Sequence, residues 1–241
     1  MNGRGQRIVI ALGALLGVAA TARLGVWQLD RAAQKVALQT ALETRQALPP
    51  LPAATLARTA EQAAVQHQRR IVVGGRWQPA QTVYLDNRQM NGRPGFYVVT
   101  PLVLADGSAL VVQRGWLARD PQDRTHVNAP PLPAGDVQVA GRIAPPPARL
   151  YAFAGEDDGR IRQNLDLAGY ALESGHALRP LSLVQEDGPL TAADGLRRDW
   201  PHPAADVHKH YGYAFQWFAL AALIGGLYVW FQLIRPRRHA C

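Results

Sequence analysis

A single cysteine, Cys241, closes the 241-residue sequence. It has no partner for an intrachain disulfide, and no thiolate metal site can be built from it. An oxidising exterior compartment permits disulfides without requiring them. Signatures of common chemistries are missing too. Ser108 and Ser182 lack a Gly-x-Ser-x-Gly context, so serine hydrolysis has no candidate nucleophile. Gly74, Gly75, Gly92 and Gly95 follow strand-like runs without forming a phosphate-binding fingerprint, and read as turn and bulge positions. Asp157 and Asp158, in "GEDDGR", read as a solvated turn and not as an acid–base pair. The sequence offers no catalytic set, and the expectation is a protein that is not an enzyme.

Acidic residues are also missing from the two ends. The formal net charge is +8, from 26 Lys and Arg against 18 Asp and Glu. Arg4, Arg7, Arg23, Arg235, Arg237 and Arg238 flank two apolar runs, while the stretch from Asp30 to Lys209 is nearly balanced. No basic stripe with interleaved aromatics remains, so nucleic-acid binding is demoted as the reading of the charge, and no nucleic-acid partner is expected. Tyr211 to Ile234 carries no formal charge and is long enough for a bilayer core, which takes about 20 apolar residues as a helix. Ile8 to Ala22 is a second run, extending to Trp27 if Arg23 snorkels to the interface. A cleaved signal peptide competes there, with Ala20-Thr21-Ala22 as a cleavage-like tripeptide. Gly13 and Gly17 favour a retained helix, because small residues on one face let another helix approach; Ala221 and Gly225 repeat the spacing. Basic flanks put both termini in the cytoplasm and the long middle outside it.

After Trp27, Leu29, Ala33, Val36 and Leu42 recur between charged residues as an amphipathic helix continuing from the first run, ended by "PPLP" at Pro49. From Arg69 the period changes. "RRIVVGGRW", "QTVYLDNR", "GFYVVTPLVL" and "SALVVQRGWL" are strand-like, with a hairpin at Ala105 to Gly107. "DVQVAGRI" predicts another strand, "DLAGYALES" a short helix, and "LRPLSLVQE" a strand with Pro180 at the edge of its sheet. The predicted class is a membrane α+β protein: two transmembrane helices flanking a β-rich, antiparallel, barrel-like domain. Its parts are residues 1–7, a first span 8–28, an exterior domain 29–209 (amphipathic helix 29–48, β-rich core about 69–190), a second span 210–234 and a tail 235–241.

The histidines remain. His67, His126 and His176 are isolated, and His239 lies in the tail, whereas His202, His208 and His210 cluster before the second apolar run. Rings two apart on a helix point nearly opposite ways, and no carboxylate or thiol completes a copper or zinc site nearby. His210 differs because Tyr213, Ala214, Trp217 and Ala221 follow it at helical steps. An imidazole above aromatic and small side chains suits a flat macrocycle such as haem. A membrane-interface belt of Tyr and Trp explains the same aromatics without a ligand.

"LGVWQLDRAAQK" (24–35), "VYLDNRQMNGRPGFYVVTPL" (83–102), "LVVQRGW" (110–116) and "HYGYAFQWFALA" (210–221) occur in that order. Together they resemble the signature blocks of the Surfeit locus protein 1 family, over most of the chain, with weaker support from about Pro145 to Asp194. The resemblance implies an assembly factor for haem–copper cytochrome c oxidase in the bacterial inner (plasma) membrane, with its main domain periplasmic and its first span retained. It implies transient binding of haem a, with His210 as axial ligand to the iron; helical spacing adds Tyr213 and Trp217 beside it, and the topology puts Arg23 and Trp27 at the same level. Gln28 stands at the same level as Arg23 and Trp27. Arg23 has two readings, a partner for a haem propionate or a snorkelling side chain. Implied partners are the oxidase catalytic subunit, the haem a synthesis machinery and membrane lipid. Two departures stand out: "DVHKH" precedes the histidine, which leaves His208 as a rival ligand, and Gln113 precedes Arg114-Gly115-Trp116. The alternative class is a cofactor-free membrane scaffold for a nascent oxidase subunit.

Overall fold

The computed structural model describes residues 3–123, 126–128, 130–151, 159–188, 191, 194–201 and 206–235. Asp157, Asp158, His202, Arg237, Arg238, His239 and Cys241 lie outside them. The chain forms two compact units, one of Met1–Ala41 with His202–Cys241 and one of Leu42–Pro201.

The helix α1 (Gly3–Ala47), which belongs to the first unit up to Ala41, is one unbroken helix of 45 residues. At 1.5 Å per residue it is roughly 68 Å long, about twice a bilayer core. No proline interrupts it before Pro49 and Pro50, where a missing N–H and ring clashes forbid continuation. Along its second half the buried position is Ala32, while Leu29 and Val36 of the expected apolar stripe are 41% and 43% exposed. The last helix of the chain covers Val207–Val229 and ends in a π-helical turn at Trp230–Ile234. Both helices are long and apolar enough to cross a membrane.

The second unit is built on a seven-stranded sheet. After α2 (Ala60–Gln66) come β1 (Arg70–Trp77), β2 (Val83–Met90), β3 (Arg93–Leu104), β4 (Ala109–Ala118), β5 (Asp136–Ala144) and β6 (Ile161–Arg162). Then follow α3 (Leu167–Ser174) and β7 (Leu178–Gln185), and the last helix of the chain is α4. The order β1-β5-β7-β4-β3-β2-β6 closes through an additional β1–β3 pairing. Length makes this possible. β3 pairs with β2 from Arg93 to Val99 and with β1 from Leu102 to Leu104, so it can leave one neighbour and take another.

Local chemistry fixes the turns. Asn91 and Gly92 both have positive φ (52° and 75°), the combination that joins twisted antiparallel strands in two residues. At Ala105–Gly107 the Asp106 carboxylate accepts from the Ser108 N–H (3.1 Å) and hydroxyl (2.6 Å). Asp166 caps α3 by accepting from the Gly169 N–H at 2.9 Å.

Two expectations change. The sheet is not wholly antiparallel, because β4–β7 and β2–β6 are parallel pairs. Nor is β7 an edge strand: it lies between β5 and β4. Pro180 is tolerated there because β5 pairs only with Ser182 to Gln185, and the β4 ladder shifts register opposite the proline.

The barrel interior follows the period of two. Ile71 and Val73 on β1, Leu110 and Val112 on β4, Val139 and Ile143 on β5, and Leu181 and Leu183 on β7 form its core. Each fully buried Val, Leu or Ile contributes about 1.5–3 kcal/mol against an exposed reference. The other face of β4 is also covered, with Val111 packed among Val83, Leu85, Val99, Leu165 and Tyr170.

Candidate functional site

The helix pair of the first unit carries the candidate site. On α1 the less exposed positions include the series Ala11, Ala14, Val18, Thr21, Gly25, Gln28, Ala32 and Lys35, with Gly17 and Ala22 beside it. On α4 they include Val207, His210, Ala214, Trp217, Ala221, Ile224 and Tyr228, with Gly225 beside them. Steps of three and four alternate on both, the spacing that keeps one seam facing a partner helix. Gly17 faces Ile224, Gly25 faces Phe218, and Gln28 reaches His210, so the two helices run antiparallel.

Small residues set the approach. A Cβ on Gly25 would stand 2.8 Å from the Phe218 ring, closer than real contacts allow. One on Gly17 would make ordinary contact with Ile224 at 3.5 Å, and one on Gly225 would lie 3.9 Å from Val18. Gly13 meets nothing within 4 Å, so the expected Gly13–Gly17 pair contributes only its second member. The closest approach at Gly25 was not singled out from the sequence. Thr21 bonds back to the Gly17 carbonyl (2.7 Å), which satisfies its hydroxyl without a partner helix.

His210 stands one turn into α4, partly buried, with Nδ1 at 2.7 Å from Gln28 Oε1. An amide oxygen only accepts, so in this arrangement Nδ1 donates and the lone pair of the neutral ring lies on Nε2. Trp217 lies two turns further along the same seam. Tyr213, on an adjoining face, is 52% exposed, and Trp27 is 49% exposed. Arg23 is exposed and stands about 140° around α1 from Gln28, at about 100° per residue. The structure thus brings His210 to Gln28 and aligns Trp217 with them, while Arg23, Trp27 and Tyr213 face outward. His208 is exposed, about 200° away from His210 on the helix.

No cluster of three or more His, Cys, Asp or Glu that could hold a bare metal ion occurs among the described residues. One imidazole nitrogen beside apolar and aromatic side chains is a poor chelator. It is, however, the donor required by an iron already held by a macrocycle, so the residues present fit a haem.

The barrel carries a different arrangement. Arg114 and Arg198 have side chains only 3% and 1% exposed, and both turn to Asp194, itself 9% exposed. Burial pushes the Arg114 guanidinium down to about 10, partly offset by Asp194. Trp116 lies against Gly95, where a Cβ would be 2.5 Å from the indole, and donates from Nε1 to the Arg88 carbonyl at 2.9 Å. The two middle segments quoted above therefore pack on each other. The first and last meet where Gln28 reaches His210.

A closed, partly parallel barrel together with two long apolar helices, one of which turns His210 to the other, defines an α+β protein of membrane type. The SURF1 family model matches residues 15–222, and the chain belongs to that family. A SURF1-like protein of Rickettsia bellii is 25% identical over 208 residues, covering 85% of this chain and 83% of the relative. One of Rickettsia felis is 27% identical over 220 residues, covering 86% and 89%. The cytochrome oxidase assembly protein SHY1 of Saccharomyces cerevisiae is 25% identical over 158 residues, covering 63% of this chain and 40% of the yeast protein.

Proposed function

We propose that this protein is an assembly factor for haem–copper cytochrome c oxidase that holds haem a on His210 and gives it up to the oxidase catalytic subunit. Family membership and the name of the yeast relative support the assembly role. The observation that carries the cofactor reading is the His210–Gln28 bond, which leaves Nε2 as the free donor. Haem would supply an iron centre able to accept an imidazole nitrogen. His210 would hold the iron, Trp217 would pack against the ring system, and Tyr213, Trp27 and Arg23 would stand at its rim.

The charge pattern supports a two-span topology in the bacterial inner membrane, with cytoplasmic termini and a periplasmic barrel. On this reading the protein turns over no substrate. It receives cofactor from the haem a synthesis machinery, contacts lipid through the outer faces of both helices, and takes no part in nucleic-acid binding.

The test is the haem-to-protein ratio and Soret spectrum after co-expression with haem a synthesis. Wild type and His208→Ala should carry haem, and His210→Ala should lose most of it. Full occupancy in His210→Ala would sink the assignment. A wild-type protein purified without haem would favour the cofactor-free scaffold.

A further inference from the structure

We infer that Gln28 is a positioning residue for His210: its side-chain oxygen holds the imidazole proton on Nδ1 and so presents Nε2 as the iron-binding atom. The inference rests on the haem reading for its purpose, but its geometry stands alone. The 2.7 Å contact joins two side chains that are 182 residues apart in sequence and both partly shielded. It is possible only where the helices are close. Gly25, one turn before Gln28, leaves room for the Phe218 ring, and Ala214, one turn after His210, is 2% exposed.

The chemistry is specific. A free neutral imidazole favours its proton on Nε2, the nitrogen that a ligand to iron must keep bare. An acceptor facing Nδ1 reverses that preference before any metal arrives and stops the ring from rotating. A carboxylate would do the same, but its charge would be costly to place in a seam of Gly, Ala and Thr. An amide supplies the acceptor without charge. A neutral acceptor also polarises the ring less than a carboxylate, which leaves the iron bond weaker and fits a cofactor held for release.

The experiment uses the full chain in detergent with ¹⁵N-labelled histidine, and ferric haem b as the titrant. Without haem, the wild-type His210 signal should report a proton on Nδ1. In Gln28→Leu it should shift to Nε2 or to a mixture, while Gln28→Glu should keep the wild-type pattern. With haem b, Gln28→Leu should bind about 10–100-fold more weakly, with the axial imidazole still visible in the spectrum, and Gln28→Glu should restore affinity. A wild-type tautomer and affinity in Gln28→Leu would overturn the inference while leaving His210 as ligand. Haem b binding unaffected by His210→Ala would instead overturn the cofactor reading, and with it the purpose assigned to Gln28; the haem-free spectra would still decide the contact. Should Gln28→Leu not fold, a proton on Nε2 in wild type, or in Gln28→Glu, would by itself refute the inference.

Discussion

The helix pair and the barrel are built inside out with respect to each other. In the barrel the large side chains Ile71, Leu102, Leu110, Ile143 and Leu183 are at most 1% exposed. In the helix pair many large side chains are outside: Leu15 is 64% exposed, Leu16 69% and Phe215 74%. Its seam mixes Ala, Gly, Thr, Gln and His with a few larger side chains, Trp217 and Ile224 among them. The difference reflects the solvent each unit is made for. Water drives apolar area inward, so a barrel gains stability by burying bulk. Lipid tails offer no such gain, and helices there associate through close backbone approach and a few hydrogen bonds. Polar groups are handled in opposite ways too. The barrel buries charge and neutralises it, with Asp194 between Arg114 and Arg198, whereas the seam admits a neutral amide and an imidazole.

The largest effect on stability is expected where charge is buried. Asp194→Asn leaves two guanidiniums without their buried carboxylate and should cost about 3–5 kcal/mol, read from denaturant or thermal unfolding of the full chain. A loss under about 1 kcal/mol would mean that water reaches this cluster, and the contrast between the units would weaken.

Next comes steric bulk at the seam. Gly25→Leu should displace Phe218, separate the helices and cost about 1–3 kcal/mol, with loss of the Nδ1 proton signal of His210. Leu15→Ala, on the outer face, should change stability by about 0.5 kcal/mol or less in detergent. Equal effects at the two positions would erase the distinction between seam and outer surface.

A modest electrostatic effect lies on the barrel surface. The Ser108 hydroxyl and N–H, followed by Arg179 and Arg58, hold the Asp106 carboxyl at about 2. Its value in the folded protein is below the unfolded one, about 3.9, so its contribution is complete above that pH and is lost as pH falls from about 4 to about 2. The carboxylate is 35% exposed, which keeps the contribution modest. Asp106→Asn should cost about 1 kcal/mol at neutral pH and flatten the stability profile in that acid window. An unchanged acid slope would remove Asp106 from the account.

Much of this was legible in the chain itself. The uncharged run after Tyr211 and the basic residues around it gave the second long helix, because hydropathy and length act locally. The alternation in "RRIVVGGRW" and "SALVVQRGWL", and the Asp106-Gly107 turn, gave strands and a hairpin for the same reason. His210 stood out through its neighbours at helical spacing. Other features depend on residues distant in sequence. Which glycine meets a ring, which arginines share Asp194, that β7 slips between β5 and β4 despite Pro180, and that β3 closes the barrel on β1 all follow from long-range pairing. Gln28 shows the limit best. Its spacing of seven from Thr21 and three from Gly25 was present in the sequence, yet nothing local says what a glutamine on a helix will face. The sequence determined the elements and the chemical candidates, since these follow from local period and composition. Only the tertiary structure decided that Gln28 meets His210, because a hydrogen bond across two helices depends on their register and separation.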